Sequence, residues 1–381
     1  IISARRMRRV TKLSLFDDPV NLTAALIDIE SPSHHEGPIA DAVEAALRAL
    51  DGVEVIRLGN TVVARTHFGR AQRVVLAGHV DTVPLADNTP HHFNETSDEA
   101  SQVLFGCGAV DMKSGLACYL HAFAHMVQDG GAHSAFDLTL IAYEGEEVAT
   151  QYNGLFHLER DHPELLAGDI ALLGEPSGGI IEAGCQGTIR VFVDAHGVRA
   201  HSARSWLGQN AAHELAGVLT RIAQYTPRTV TIAGCEYREG LNVVGLEGFV
   251  ATNTIPDFAR LIINYRFAPD RSVEQAKAHL EEVLALESGL ELTYDDTAPG
   301  ALPGLDDPVA ANLVKAVGGK FRAKFGWTDV SRFSNLGVPA VNFGPGDPGY
   351  AHKQDEQCPV GQIRDVAQQL LEYLTSSQEG E

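Results

Sequence analysis

Cysteine is sparse and unorganised in this 381-residue sequence: Cys107, Cys118, Cys185, Cys235 and Cys358 are odd in number, widely spaced and without a Cys-x-x-Cys pair. That pattern argues against a disulfide framework or a thiolate zinc site and fits a reducing, cytoplasmic compartment. No stretch approaches the ~18 apolar residues of a membrane span. The start, Ile1 to Val10, carries Arg5, Arg6, Arg8 and Arg9 with no apolar h-region behind it, so the expectation is a soluble chain that is not exported and has no membrane partner. Basic residues are also short, 29 Lys plus Arg against 50 Asp plus Glu for a net charge of -21. A field of that sign repels phosphate backbones, which argues against a nucleic-acid partner. There is no internal repeat, no low-complexity tract and no Gly-x-Ser-x-Gly elbow after a predicted strand, which disfavours solenoids, linker-rich scaffolds and serine hydrolases. What is present is 44% hydrophobic content over a length sufficient for two or three domains.

Short apolar runs predict strands at Val53 to Leu58, Arg73 to Ala77, Leu138 to Tyr143 and Asp169 to Gly174. Between them Leu22 to Ile29, Pro38 to Leu50 and Ser114 to Val127 carry apolar residues at helical spacing, which together predicts a doubly wound α/β domain. From about Gln186 the order becomes strand, helix, two strands, helix, strand, the pattern of a split βαβ (ferredoxin-like) unit. After Ala298-Pro299-Gly300 the α/β pattern resumes. The expected organisation is a discontinuous catalytic domain, 1–185 and 299–381, interrupted by an inserted domain at 186–298.

Chemistry-bearing residues cluster where these strands end. His79 and Asp81 follow Leu76-Ala77-Gly78, and Asp111 lies in a glycine-punctuated loop running into a helix. Three carboxylates, Glu144, Glu146 and Glu147, crowd the exit of Ile141-Ala142-Tyr143, where they would repel one another without cations. Glu175 follows Leu172-Leu173-Gly174, and His352 lies in the loop after Pro339 to Phe343. Each alone admits an ordinary reading as a loop histidine, a helix cap or a surface acid. Together they place imidazoles and carboxylates beyond the strand ends of one open sheet, where ligands collect. Oxygen and imidazole donors without thiolate suit Zn²⁺, Mn²⁺ or Co²⁺ in a hydrolytic site, a spare glutamate suits a general base, and an acid beside a ligating histidine suits its orientation.

Gly78-His79-Val80-Asp81-Thr82-Val83-Pro84, Asp111-Met112-Lys113-Ser114-Gly115, Glu146-Glu147, Gly174-Glu175-Pro176-Ser177 and His352 resemble, in order, the signature of the dinuclear-zinc M20 metallopeptidase superfamily of aminoacylases and carboxypeptidases. The resemblance implies two Zn²⁺, replaceable by Co²⁺ or Mn²⁺: His79 and Glu175 on one, Glu147 and His352 on the other, Asp111 bridging. It implies Glu146 as the base and Asp81 as the group orienting His79. One departure is Gly145, where many relatives place Asp before the paired glutamates. The insert resembles the lid and dimerisation domain of the superfamily, implying a homodimer in which His201 polarises the scissile carbonyl of the neighbouring subunit and Asn253 contacts substrate. Segments 199–208, 329–333 and 342–348 resemble the desuccinylase branch, whose small N-acyl-amino-acid substrate carries three carboxylates; deacetylase, aminoacylase and carboxypeptidase activities are the alternatives on the same ligand set. An acidic chain needs local cations for such a substrate, and Arg266 and Arg332 are the first candidates.

Overall fold

A computed structural model describes residues 12–376; the arginine-rich start lies outside the described residues. The chain divides into two compact units, one comprising residues up to Ala183 with Gly304–Arg322 and Arg332 onward, the other Gly184–Pro303 with Ala323–Ser331.

The first unit is built on a mixed sheet of eight strands among the described residues, in the order Glu54–Leu58, Thr61–Arg65, Asp137–Tyr143, Arg73–His79, Ile170–Leu173, Ala340–Asn342, Ile181–Ala183 and Phe321–Ala323. Arg73–His79 runs parallel to Asp137–Tyr143 and to Ile170–Leu173, which in turn runs parallel to Ala340–Asn342. These four central strands are buried almost residue for residue rather than alternately, so both faces of the sheet are covered. Their near-continuous apolar sequences meet that demand. The helix Lys113–Val127 is buried along nearly its whole length and packs on Arg73–His79 and on the helix Val360–Thr375. A Cβ on Gly115 would sit 1.8 Å from the Gly174 carbonyl oxygen, so glycine at this position is what lets the helix start touch the exit of the strand Ile170–Leu173. A separate three-stranded sheet, in the order Gln357–Pro359, Val103–Phe105 and His92–Phe93, ties the chain just after His352 to the chain just before Asp111.

The second unit carries an antiparallel sheet in the order Gly240–Glu247, Phe258–Phe267, Gly187–His196 and Leu290–Ala298. Numbered along the chain that order is 2-3-1-4, the split βαβ arrangement. Phe258–Phe267 alternates strictly, with Ala259, Leu261, Ile263, Tyr265 and Phe267 buried in one core with Val218, Ile222, Leu280 and Leu284 of the two helices. Ser272 begins the helix Val273–Leu284 with a capping box closed by Gln275. The segment Ala323–Ser331 belongs here, its Trp327 Nε1 donating to the Pro299 carbonyl at 3.1 Å. The hairpin Thr229–Ile232 with Cys235–Arg238 is an element that strand and helix spacing did not anticipate.

Candidate metal centre

The carboxyl ends of the four parallel strands lead to His79, to Glu146 and Glu147, to Glu175 and to His352, whereas Asp111 comes from the loop between Val103–Phe105 and the helix Lys113–Val127. His79 closes its strand and is fully buried. Its Nδ1 lies 3.0 Å from the Asp81 carbonyl oxygen and 3.5 Å from Asp81 Oδ1, which leaves Nε2 to face Asp111 Oδ1 at 3.1 Å. Donating from Nδ1 fixes the tautomer in which Nε2 presents its lone pair. Burial opposes a charge on His79, yet Asp111 and Asp81 raise its imidazole pKa well above the ordinary value.

Asp81 organises more than His79. Its Oδ1 accepts from the Glu146 backbone N–H at 3.1 Å, and its Oδ2 from the Glu147 N–H at 3.2 Å and from Ser33 Oγ at 2.8 Å. Burial alone would raise the Asp81 carboxyl; the hydrogen bonds from His79, Ser33 and Glu146 leave it below the usual carboxylate range. One fixed carboxylate therefore sets the loop carrying both glutamates. Gly145 sits at φ 72°, and a Cβ there would lie 2.2 Å from the Tyr152 carbonyl oxygen, so the turn into Glu146 is one that favours glycine. Glu144 is turned away, its carboxylate accepting from the Asn60 N–H at 2.7 Å. It does not replace the aspartate that Gly145 displaces.

Asp111 stands between the two histidines, with Oδ1 toward His79 and Oδ2 3.3 Å from His352 Nε2. Burial would raise this carboxyl, but the two imidazoles hold it well below the usual range. His352 Nε2 also lies 3.0 Å from Glu147 Oε2, and Asp111 and then Glu147 push the imidazole up to about 10. Among the described residues, donor atoms within 4.8 Å of one another form three overlapping groups, His79 with Asp111 and Glu175, Asp111 with Glu147 and His352, and His79 with Glu146 and Glu147. Two three-donor groups share Asp111, and all donors are carboxylate oxygens and imidazole nitrogens. This set fits a pair of borderline divalent cations such as Zn²⁺, Co²⁺ or Mn²⁺. Cys107, near Asp111 in sequence, belongs to none of these groups, and burial raises its pKa.

Three residues around this cluster were given no role by the reading of the sequence. Ser33 acts through Asp81 from 48 positions away, and no local pattern marks it. Lys113 is buried with Nζ on the Ile29 carbonyl at 2.9 Å, its pKa lowered by burial to about 8. Glu356 sits 2% exposed beneath the Asp111 loop; burial pushes its carboxyl up to about 7, against three backbone donors that pull the other way. Its only signal was position, four residues after His352.

The remaining candidates belong to none of these donor groups. His201 and Asn253 are exposed neighbours in the second unit, where Ala200–His201 pairs with Thr254–Ile255 and Ser202 N–H donates to the Asn253 carbonyl at 2.9 Å. His201 Nδ1 accepts from the Ala203 N–H at 3.0 Å, which directs the proton to Nε2. Arg266 is half-buried on the sheet of the second unit, Nε on Asn264 Oδ1 at 3.1 Å, and burial lowers its pKa. Arg332 belongs to the first unit, buried, 3.2 Å from Glu159 Oε2 and over the Phe156 ring.

The chain is similar to known proteins in sequence and in fold. The sequence is 56% identical over 368 residues, 95% of this chain and 98% of the relative, to a succinyl-diaminopimelate desuccinylase of Corynebacterium glutamicum. A desuccinylase of Cereibacter sphaeroides is 29% identical, covering 94% and 98% of the two chains. Among solved structures, the aminopeptidase PepT of Bacillus cereus superimposes with a TM-score of 0.75 at 16% identity, over 95% of this chain and 99% of that one. The YXEP protein of Bacillus subtilis, described as a dinuclear metal-binding peptidase, gives 0.68 at 13% identity over 95% and 98%. The family model described as peptidase family M20/M25/M40 matches residues 75–376. The chain belongs to that family.

Proposed function

We propose that this chain is a metal-dependent amidohydrolase of the cytoplasm that cleaves N-succinyl-LL-2,6-diaminopimelate to succinate and LL-2,6-diaminopimelate, a step toward lysine and cell-wall precursors. The observation that carries the substrate is the 56% identity to a desuccinylase across 95% of this chain. The donor set carries the chemistry.

His79, Asp111 and Glu175 would hold one divalent cation, and Asp111, Glu147 and His352 the other. When bound, the pair supplies Lewis acidity toward water and the scissile carbonyl. Glu146, fixed at its backbone by Asp81, takes a proton from the attacking water and returns one to the departing amine. Asp81 keeps Nδ1 of His79 protonated and its Nε2 directed at the centre. Arg266 engages a substrate carboxylate, Arg332 with its orientation set by Glu159 engages another, and Asn253 adds a polar contact.

The assembly that goes with this reading is a homodimer through the second unit. Gly240–Glu247 is an edge strand whose Val244 and Leu246 are 61% and 60% exposed, followed by Phe249 at 83%. An apolar edge of that kind calls for a partner strand. Across such an interface His201 would donate from Nε2 to the oxyanion developing in the partner's site.

Hydrolysis of N-succinyl-LL-2,6-diaminopimelate compared with N-acetylornithine tests the substrate. The succinyl compound should show the higher kcat/KM by a wide margin. A preference for the acetyl compound would overturn the desuccinylase reading.

A further inference from the structure

Glu356 lies outside the donor set, yet its carboxylate accepts three backbone N–H groups from the loop that ends at Asp111. Oε2 takes Gly108 N–H at 3.0 Å, and Oε1 takes Val110 N–H at 2.9 Å and Asp111 N–H at 3.0 Å. The Glu356 carbonyl oxygen accepts from Gly106 N–H at 3.1 Å, so one residue satisfies four donors of a six-residue loop. The side chain is 2% exposed, and water cannot take over these bonds. The next residue, Gln357, enters the three-stranded sheet opposite Phe105. The same stretch of chain carries His352, four residues upstream.

We propose that Glu356 is a positioning residue for the metal centre, holding the Asp111 backbone so that one carboxylate oxygen faces His79 and the other faces His352. The inference rests on the dinuclear reading above and deepens it. A carboxylate is the side chain for this task because it offers acceptors only, four lone-pair sites for three converging donors. Glutamine of the same shape would turn an NH₂ group toward at least one of those N–H groups, leaving buried donors opposed and the loop free to rotate Asp111 away from one of its two partners.

The test uses the full chain with Glu356→Gln and Glu356→Asp, and Asp18→Ala as a control that removes a helix cap in the same unit without touching the loop. Metal-free proteins are titrated with Zn²⁺ and with Co²⁺, following the binding isotherm and the visible Co²⁺ spectrum alongside thermal unfolding. Glu356→Gln should weaken at least one of the two metal equivalents by about 10–100-fold and alter the Co²⁺ spectrum, Glu356→Asp should fall between it and wild type, and Asp18→Ala should lower Tm while leaving both metal readouts unchanged. Wild-type isotherm and spectrum in a folded Glu356→Gln protein would overturn the inference alone. So would failure of both Glu356 variants to fold even with saturating metal, since that outcome assigns the residue to the fold at large. A wild-type protein that takes up no divalent metal would overturn the metal-centre reading as well.

Discussion

Within the pair Glu146-Glu147 the geometry supports the proposed division into base and ligand. Both backbone N–H groups bond one side chain, Asp81, but Glu147 Oε2 lies 3.0 Å from His352 and joins the group containing Asp111, whereas Glu146 groups with His79 and Glu147 only. Glu146→Gln should therefore lower kcat by about 10²–10⁴ while both metal equivalents stay bound, because a base is not required for affinity. Glu147→Ala should instead lose metal. Metal analysis of the two variants beside their steady-state kinetics checks the division, and reversed phenotypes would contradict it. The residues of this cluster were legible in the sequence because each stands on or just past an apolar strand or at a glycine-marked turn. Ser33 was not, since its contact with Asp81 spans 48 positions. Nor was Glu356, whose acid could equally have been solvated; only burial against three N–H groups gives it a role.

Among the elements, the central parallel strands were the most readable, since burial on both faces demands unbroken apolar runs such as Leu138-Thr139-Leu140-Ile141-Ala142-Tyr143. The strands His92–Phe93, Val103–Phe105 and Gln357–Pro359 were not, because two or three residues hold too little periodicity to register. They matter nonetheless, as they fasten the Glu356 segment to the chain before Asp111. The contact between the helix start at Gly115 and Gly174 offers a probe at this scale. Gly115→Ala must push the helix Lys113–Val127 off the Glu175 loop, because its Cβ would meet backbone rather than a yielding side chain. A loss of about 1–3 kcal/mol is expected, read as a drop in Tm together with weaker metal retention. An unchanged Tm would mean that the helix and strand exit are less closely apposed than they stand here.

For the whole molecule, the family, the α/β layout and the split βαβ unit could be read from motif order and strand-helix alternation, whereas assembly depends on a second chain. The edge strand Gly240–Glu247, with Val244 and Leu246 exposed, is the physical motive for the proposed pairing, and His201, exposed on the short strand Ala200–His201 of the same unit, is the motive for the proposed sharing of a site. Subunit exchange tests both at once. Inactive His201→Ala mixed with inactive Glu146→Ala should regain a fraction of wild-type activity, since a mixed dimer contains one site with an intact base and an intact histidine from its neighbour. No recovery despite demonstrated exchange would place His201 outside the partner's chemistry. The most direct test of the account concerns the centre on which everything else rests. Protein stripped of metal by a chelator and back-titrated with Zn²⁺ should hydrolyse N-succinyl-LL-2,6-diaminopimelate with activity that rises to a plateau at two equivalents, as two donor groups sharing Asp111 require. Full activity surviving exhaustive metal removal would contradict it.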